Sequence, residues 1–185
     1  MGTSPPIEWL SAHHAQRDVL DGLARFEDWE SLWRECPRGD WLLGIAERIG
    51  AEHTHLVRAA LACARIADEA PAPLLDLCAR WLDGAATLEE VATATKAALD
   101  TLGAAPDPAT EAAMRAALAV GMGIADRGVL SSAPAAAVES VMMASIDCGF
   151  ELAMRWAQDK CASAVRGVLT WDVIAPCVAR LEDRG

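Results

Sequence analysis

The sequence predicts an all-α fold, and three observations support that prediction. Apolar residues make up 53% of the 185-residue chain, and they recur at spacings of three and four rather than in alternation. Capping residues and prolines punctuate the chain at short intervals, whereas alternating runs of β-branched residues are absent and tyrosine is missing altogether. Counting the caps and breakers predicts about eight or nine helices, arranged as a bundle or a stack of helical hairpins.

The chain length is that of one domain, so we expect residues 1–185 to form a single α-helical domain. The proline-rich segment 104–108 is the best candidate for an internal boundary. No repeat of regular length supports a solenoid.

The first half of the chain is predicted to form about six helices. They cover residues 5–26, 29–35, 41–49, 52–69, 73–83 and 88–102. Cys36-Pro37 ends the second helix, because a residue that precedes proline is disfavoured in helical geometry. Asp40 is the predicted N-cap of the third helix, and Gly50 follows its end. Thr87 and Glu90 are spaced as a capping box, which is the clearest local signal in the sequence.

Three further helices are predicted after the 104–108 segment. Asp107 and Pro108 provide an N-cap and a first-turn proline for the seventh helix, which runs to about Ala125. A loop over 128–134 leads into one long helix over 135–166, within which Gly149 is a candidate bend. Thr170 caps the last helix, and its internal Pro176 is expected to kink that helix or delay its start.

The stretch from Trp29 to Gly50 is the only part of the chain that looks like a signature, and it holds three of the seven tryptophans. Helix, tight corner and capped helix account for most of its residues, with the indoles filling the joint. We therefore expect structural roles for six residues: Trp29, Trp33, Cys36, Pro37, Gly39 and Trp41.

Two charged residues of the corner are open to two interpretations. Arg38 and Asp40 either close the corner as an ion pair or are displayed to a partner, and they are the candidate partner-binding residues. The neighbouring carboxylates of Glu30 and Glu35 are secondary candidates.

Charge restricts the class of partner. The net charge is −11 and no basic patch is present, so nucleic acids and anionic membranes are unfavourable partners, whereas a basic protein would be attracted. The longest run without charge, residues 128–138, is too short to span a bilayer. The N-terminal residues lack the layout of a signal peptide, so we expect a cytoplasmic protein.

No catalytic, metal or cofactor site is predicted. The four histidines are scattered, and no phosphate-binding loop, nucleophile motif or paired carboxylates on one helix face can be found. We therefore expect no enzymatic activity and no cofactor. The cysteines show no metal-ligand spacing, and we expect buried free thiols rather than disulfides. They are Cys36, Cys63, Cys78, Cys148, Cys161 and Cys177.

Four segments of the chain resemble a group of small, alanine-rich bacterial proteins described as immunity proteins. The first reads WRECPRGDWLL (33–43) and is similar to that family's W-x-x-C-P-R-G-D-W motif. The others are LVRAALACAR (56–65), WLDGAATLEEV (81–91) and CASAVR followed by TWDVI (161–174). The resemblance extends from about Trp29 to Leu181, but the chain lacks the tyrosines that members often carry, and its first 25 or so residues have no counterpart.

The resemblance implies a cytoplasmic protein that binds and neutralises a toxin made by the same cell. An acidic surface suits a basic toxin, because charge complementarity accelerates encounter. The alternative is a non-catalytic helical adaptor or scaffold, including a homo-oligomer whose apolar surface forms the interface between subunits.

Overall fold

The computed structural model describes residues 5–13, 15–145 and 149–182. Within these ranges the secondary structure comprises α-helices and two short 3₁₀ turns, with no strand. Eleven helices are present in the described ranges: α1 (Pro6–Ala12), α2 (Arg17–Leu23), α3 (Trp29–Glu35), α4 (Gly39–Arg48), α5 (His53–Ala64), α6 (Ala72–Leu82), α7 (Leu88–Thr101), α8 (Pro108–Gly123), α9 (Ser132–Ala144), α10 (Phe150–Val168) and α11 (Trp171–Glu182). The predicted all-α class is confirmed, but the predicted eight or nine helices were too few.

One of the additional helices arises because the predicted helix over 5–26 is divided. The Ala15 N–H donates to the Leu10 carbonyl at 3.0 Å, and the His13 ring donates through Nδ1 to the Trp9 carbonyl at 2.8 Å. These bonds satisfy carbonyls at the end of α1 while the backbone turns. The apolar spacing continues across the turn, which is why the sequence pattern concealed it.

The other additional helix arises because the predicted helix over 135–166 is two helices, α9 and α10. Gly149 precedes α10 with φ of +116°, a conformation that side-chain-bearing residues rarely adopt. Gly149 therefore marks a helix start rather than a bend. Cys148, which was predicted to be a buried free thiol, lies outside the described residues.

Three smaller predictions also need correction. Helix α4 begins at Gly39 with Arg38 at the N-cap, because the Asp40 carboxylate is bonded to Arg38 and does not cap the helix. Helix α5 ends at Ala64 rather than Glu69. Of the two outcomes predicted for Pro176, the delayed start is wrong, because α11 begins at Trp171 and contains Pro176.

The predicted capping signals are present. The Thr87 hydroxyl accepts from the Glu90 N–H at 3.2 Å, and the Glu90 carboxylate accepts from the Thr87 N–H at 2.7 Å. The Asp107 carboxylate accepts from the Thr110 N–H at 2.9 Å at the start of α8. Gly50 has φ of +82° just after α4, as expected of a residue that ends a helix.

Helix α5 lies at the centre of the core, where it packs against α4, α6, α8, α9 and α10. Helix α8 buries ten of its 16 residues, most of them alanines, and packs closely against α9. Small side chains allow the axes of such helices to approach each other. Helix α7 packs on α6 and α8, and α11 packs on α3.

The first turns of α10 carry large apolar side chains in solvent. Leu152 is 74% exposed and Trp156 is 49% exposed. Their spacing of four residues places both on one side of the helix. No single helix in the described ranges has the length and hydropathy of a membrane span, although α10 and α11, bent by 78°, meet both criteria as a pair.

Candidate functional site

The corner between α3 and α4 begins with a capped helix. The Asp28 carboxylate accepts from the Ser31 N–H at 2.7 Å, and this bond lowers the pKa of Asp28. Helix α3 then buries Trp29, Leu32 and Trp33, as their spacing predicts. The helix ends before Cys36, which adopts the extended conformation that a following proline requires.

Two long-range hydrogen bonds fasten this corner to the C-terminal part of the chain. The buried Trp33 indole donates through Nε1 to the Leu169 carbonyl at 2.7 Å. Arg166 donates through Nη1 to the Cys36 carbonyl at 2.8 Å. The corner is therefore held by α10 and by the turn that joins α10 to α11.

Gly39 lies directly against the backbone of α10. A Cβ atom at this position would come within 2.8 Å of the carbonyl carbon of Cys161 and 2.9 Å of the amide nitrogen of Ala162. Because only glycine avoids this overlap, Gly39 sets the distance between α4 and α10.

Arg38 and Asp40 form a bidentate ion pair at the corner. The Nε–Oδ1 distance is 2.9 Å and the Nη2–Oδ2 distance is 2.6 Å. The bond to Asp40 raises the pKa of Arg38, although partial burial opposes the shift. The guanidinium also lies over the Trp41 ring, 4.5 Å from its centroid. The side chains of Arg38 and Asp40 are 34% and 19% exposed, so the pair is held by two hydrogen bonds and is still accessible to solvent.

The ion pair opens onto a cleft of about 220 Å³ between α2, α4 and the start of α9. Its polar lining includes Gln16, Asp18, Arg38, Asp40, Arg48 and Ser131. The partly buried Trp41 forms part of the same wall and reaches the space beside Gly22. The lining contains two acidic and two basic side chains, so it does not select a ligand by net charge alone.

The secondary candidates lie on α3, away from this cleft lining. Glu30 forms an exposed ion pair with Arg34 at 2.5 Å, one helical turn away. Glu35 is exposed at the end of the same helix. The four predicted partner-binding residues therefore fall into two groups. Arg38 and Asp40 form an ion pair, whereas Glu30 and Glu35 present exposed carboxylates.

All five cysteines that the structure describes are buried free thiols. Burial raises the pKa of Cys36, and it raises the pKa of Cys78 to about 11. A side-chain hydrogen bond with Cys161, together with burial, raises the pKa of Cys63 well above its usual value. In the described part of the chain, no three His, Cys, Asp or Glu side chains are grouped to hold a metal ion.

Sequence reasoning did not identify Cys161, Arg166 and Leu169 as partners of the corner. The first two belong to the CASAVR segment noted above, so the signal was present in the sequence. The sequence did not indicate that this segment packs on the corner, because the bond between Arg166 and Cys36 spans 130 positions.

No family model matches the chain, and comparisons with curated proteins and with solved structures yield no significant match.

Proposed function

We propose that the chain is an immunity-type protein, which binds a cognate toxin in the cytoplasm and neutralises it by protein–protein contact. The proposal requires no cofactor and no catalytic step. Its source is the sequence resemblance, and its support is the position of the resembling segments in the fold.

The observation that carries the proposal is the convergence of three resembling segments on one buried joint. Gly39 of the first segment contacts the backbone of Cys161 in the last segment. Cys63 of the second segment donates through Sγ to the Cys161 carbonyl at 3.5 Å. Trp33 completes the joint through its bond to Leu169. Because the three segments contact one another, their occurrence in one sequence has a structural reason. We therefore favour a fold shared with the resembling family over a chance similarity of sequence.

The charge of the chain supports a basic toxin as the partner. With a net charge of −11, the protein attracts cationic surfaces at long range and thereby accelerates their encounter. Close contacts fix the orientation of a bound partner, and the candidates for these contacts are Arg38, Asp40, Glu30 and Glu35.

The test is affinity capture with the tagged full-length chain from the cell that encodes it. We expect one small basic protein to co-purify in stoichiometric amount. Expression of that protein alone should arrest growth, and co-expression of the chain should restore it. Capture of a partner that is not toxic, or toxicity that the chain does not relieve, would contradict the proposal.

A charge-swapped variant tests the corner separately. Replacing Arg38→Asp together with Asp40→Arg preserves an ion pair but reverses the charges that a partner meets. If the pair contacts the toxin, the swap should abolish rescue while thermal stability stays near that of the wild type. Unimpaired rescue would remove Arg38 and Asp40 from the contact surface and leave the toxin proposal in place.

The alternative is a non-catalytic adaptor or a homo-oligomer, and the exposed apolar side of α10 favours it. Sizing of the purified chain distinguishes the two functions. A stable oligomer that captures no stoichiometric partner would support the alternative.

A further inference from the structure

A second surface, separate from the Arg38 cleft, has the shape of a docking groove. It lies between the turn that follows α5, the end of α9 and the start of α10, and its volume is about 620 Å³. That volume is in the range of about 300–1,000 Å³ that is typical of binding pockets. The apolar part of its lining comprises Ile66, Val141, Ala144, Leu152, Ala153 and Trp156.

Two large apolar side chains on the α10 wall are exposed to solvent, Leu152 to 74% and Trp156 to 49%. Leu152 and Trp156 lie one turn apart and face the groove. Phe150, at the start of the same helix, is 41% exposed. Exposed apolar side chains that line a groove are characteristic of an interaction site, and tryptophan is enriched among the residues that dominate binding energy.

The charged residues of the groove are exclusively acidic. Asp68 and Glu69 line it, whereas no lysine or arginine is among the described residues of the lining. Within the described ranges, neither carboxylate takes part in an ion pair. Lys160 lies over the Trp156 ring, 5.6 Å from its centroid, and forms no ion pair within the described ranges.

From this combination we infer that the groove binds a basic amphipathic helix of a protein partner. Apolar anchors at helical spacing would cover Leu152 and Trp156, and flanking lysines or arginines would pair with Asp68 and Glu69. An acidic helix would be repelled by Asp68 and Glu69, which form the acidic rim of the groove, and by the net charge of −11. The inference rests on the proposed function, since it takes the groove to be where the toxin docks.

The direct test uses a synthetic helical peptide of leucine and lysine, labelled with a fluorophore, and the full-length chain. We expect saturable binding in fluorescence anisotropy, and no binding of the same peptide with glutamate in place of lysine. Leu152→Glu should weaken binding at least about tenfold, because the apolar contact of the anchor is lost and this loss outweighs the attraction of one added carboxylate for lysine. The matched control is Leu99→Glu on α7, whose leucine is 49% exposed but does not line the groove, and binding should be unchanged.

The acidic rim has its own variant and control. Glu69→Lys should weaken binding about three- to tenfold and reduce its dependence on salt. Asp83→Lys, which reverses an exposed charge at the end of α6, should weaken binding less than twofold. Equal losses in these two variants would show attraction by net charge alone and would overturn the inference.

Other outcomes also overturn the groove assignment. Absence of saturable peptide binding would do so, as would a wild-type dimer that Leu152→Glu dissociates, because the occupant would then be a second copy of the chain. Growth rescue by Leu152→Glu as complete as that by the wild type would reject the groove as the toxin site while the toxin proposal stands. Peptide binding without a captured toxin would retain the groove and reject the proposed function.

Discussion

The substitution Gly39→Ala tests whether the α4–α10 contact determines the stability of the fold. A methyl group at this position would be 2.8 Å from backbone and Cβ atoms of Cys161, whereas ordinary contacts of this kind lie at 3.4–4 Å. The obstructing atoms are backbone atoms and a Cβ, none of which can rotate away, so one helix has to shift to remove an overlap of this size. Overpacking of this kind costs about 1–3 kcal/mol.

The higher helix propensity of alanine offsets up to about 1 kcal/mol of that cost. Taken from the middle of that range, about 2 kcal/mol, this offset leaves an expected net loss of about 1–2 kcal/mol in the free energy of unfolding. For a domain of this size, 1 kcal/mol changes Tm by about 2–4 °C, so Tm should fall by about 2–8 °C. Circular dichroism during thermal and urea unfolding measures both quantities.

Gly167→Ala is the matched control for Gly39→Ala. Gly167 also lies in a helix, but a Cβ there would meet no atom within 4 Å. We expect this variant to gain a few tenths to about 1 kcal/mol through helix propensity alone. If Gly39→Ala is as stable as the wild type while Gly167→Ala behaves as expected, the close approach of α4 to α10 is not what sets the stability.

Three further predictions concern the corner, a helix cap and the thiols. Arg38→Ala should lower the free energy of unfolding by about 1 kcal/mol in urea titrations. Arg34→Ala, which breaks an exposed pair, should change it by less than about 0.5 kcal/mol. Equal effects of the two substitutions would contradict a stabilising role of the Arg38–Asp40 ion pair. Hydrogen bonds from Thr110 lower the pKa of Asp107, so its carboxylate stabilises the fold above the ordinary value of 3.8 and loses that effect as pH falls through the folded pKa. From about pH 5 to about pH 2, Tm should therefore fall less steeply in Asp107→Asn than in the wild type, and parallel curves would refute the capping role. Cys36 and Cys78 should resist iodoacetamide in the native protein and react after unfolding, as followed by peptide mass spectrometry, and rapid native labelling at either residue would contradict its burial.

Local chemistry predicted much of the fold. Thr87, Asp107 and Gly50 mark helix ends through bonds to residues only a few positions away, so their effect can be read without a structure. The division of the first helix at His13 was hidden, because no proline or glycine marks it and the apolar spacing continues. Gly149 was visible, but a single glycine fits either a bend or a helix start, and only its backbone angle distinguishes them.

The candidate site was less predictable because its geometry depends on distant residues. Burial of Trp29 and Trp33 followed from their spacing on one helix. The requirement for glycine at position 39 depends on Cys161, far along the chain, and no local pattern encodes that contact. The groove was also missed, since the exposure of Leu152 depends on where α9 ends relative to α10.

The bond between Trp33 and Leu169 also constrains how the chain can fold during synthesis. Its two ends are separated by 136 positions, and the bond from Arg166 to Cys36 spans 130. A nascent chain that has already formed α3 and α4 therefore has to keep this corner incomplete until α10 emerges from the ribosome. During that interval, in which 136 further residues are synthesised, the apolar surface around Trp33 lacks its covering. Contacts of such long separation slow folding, and this interval is when we expect chaperone binding and aggregation to compete with it.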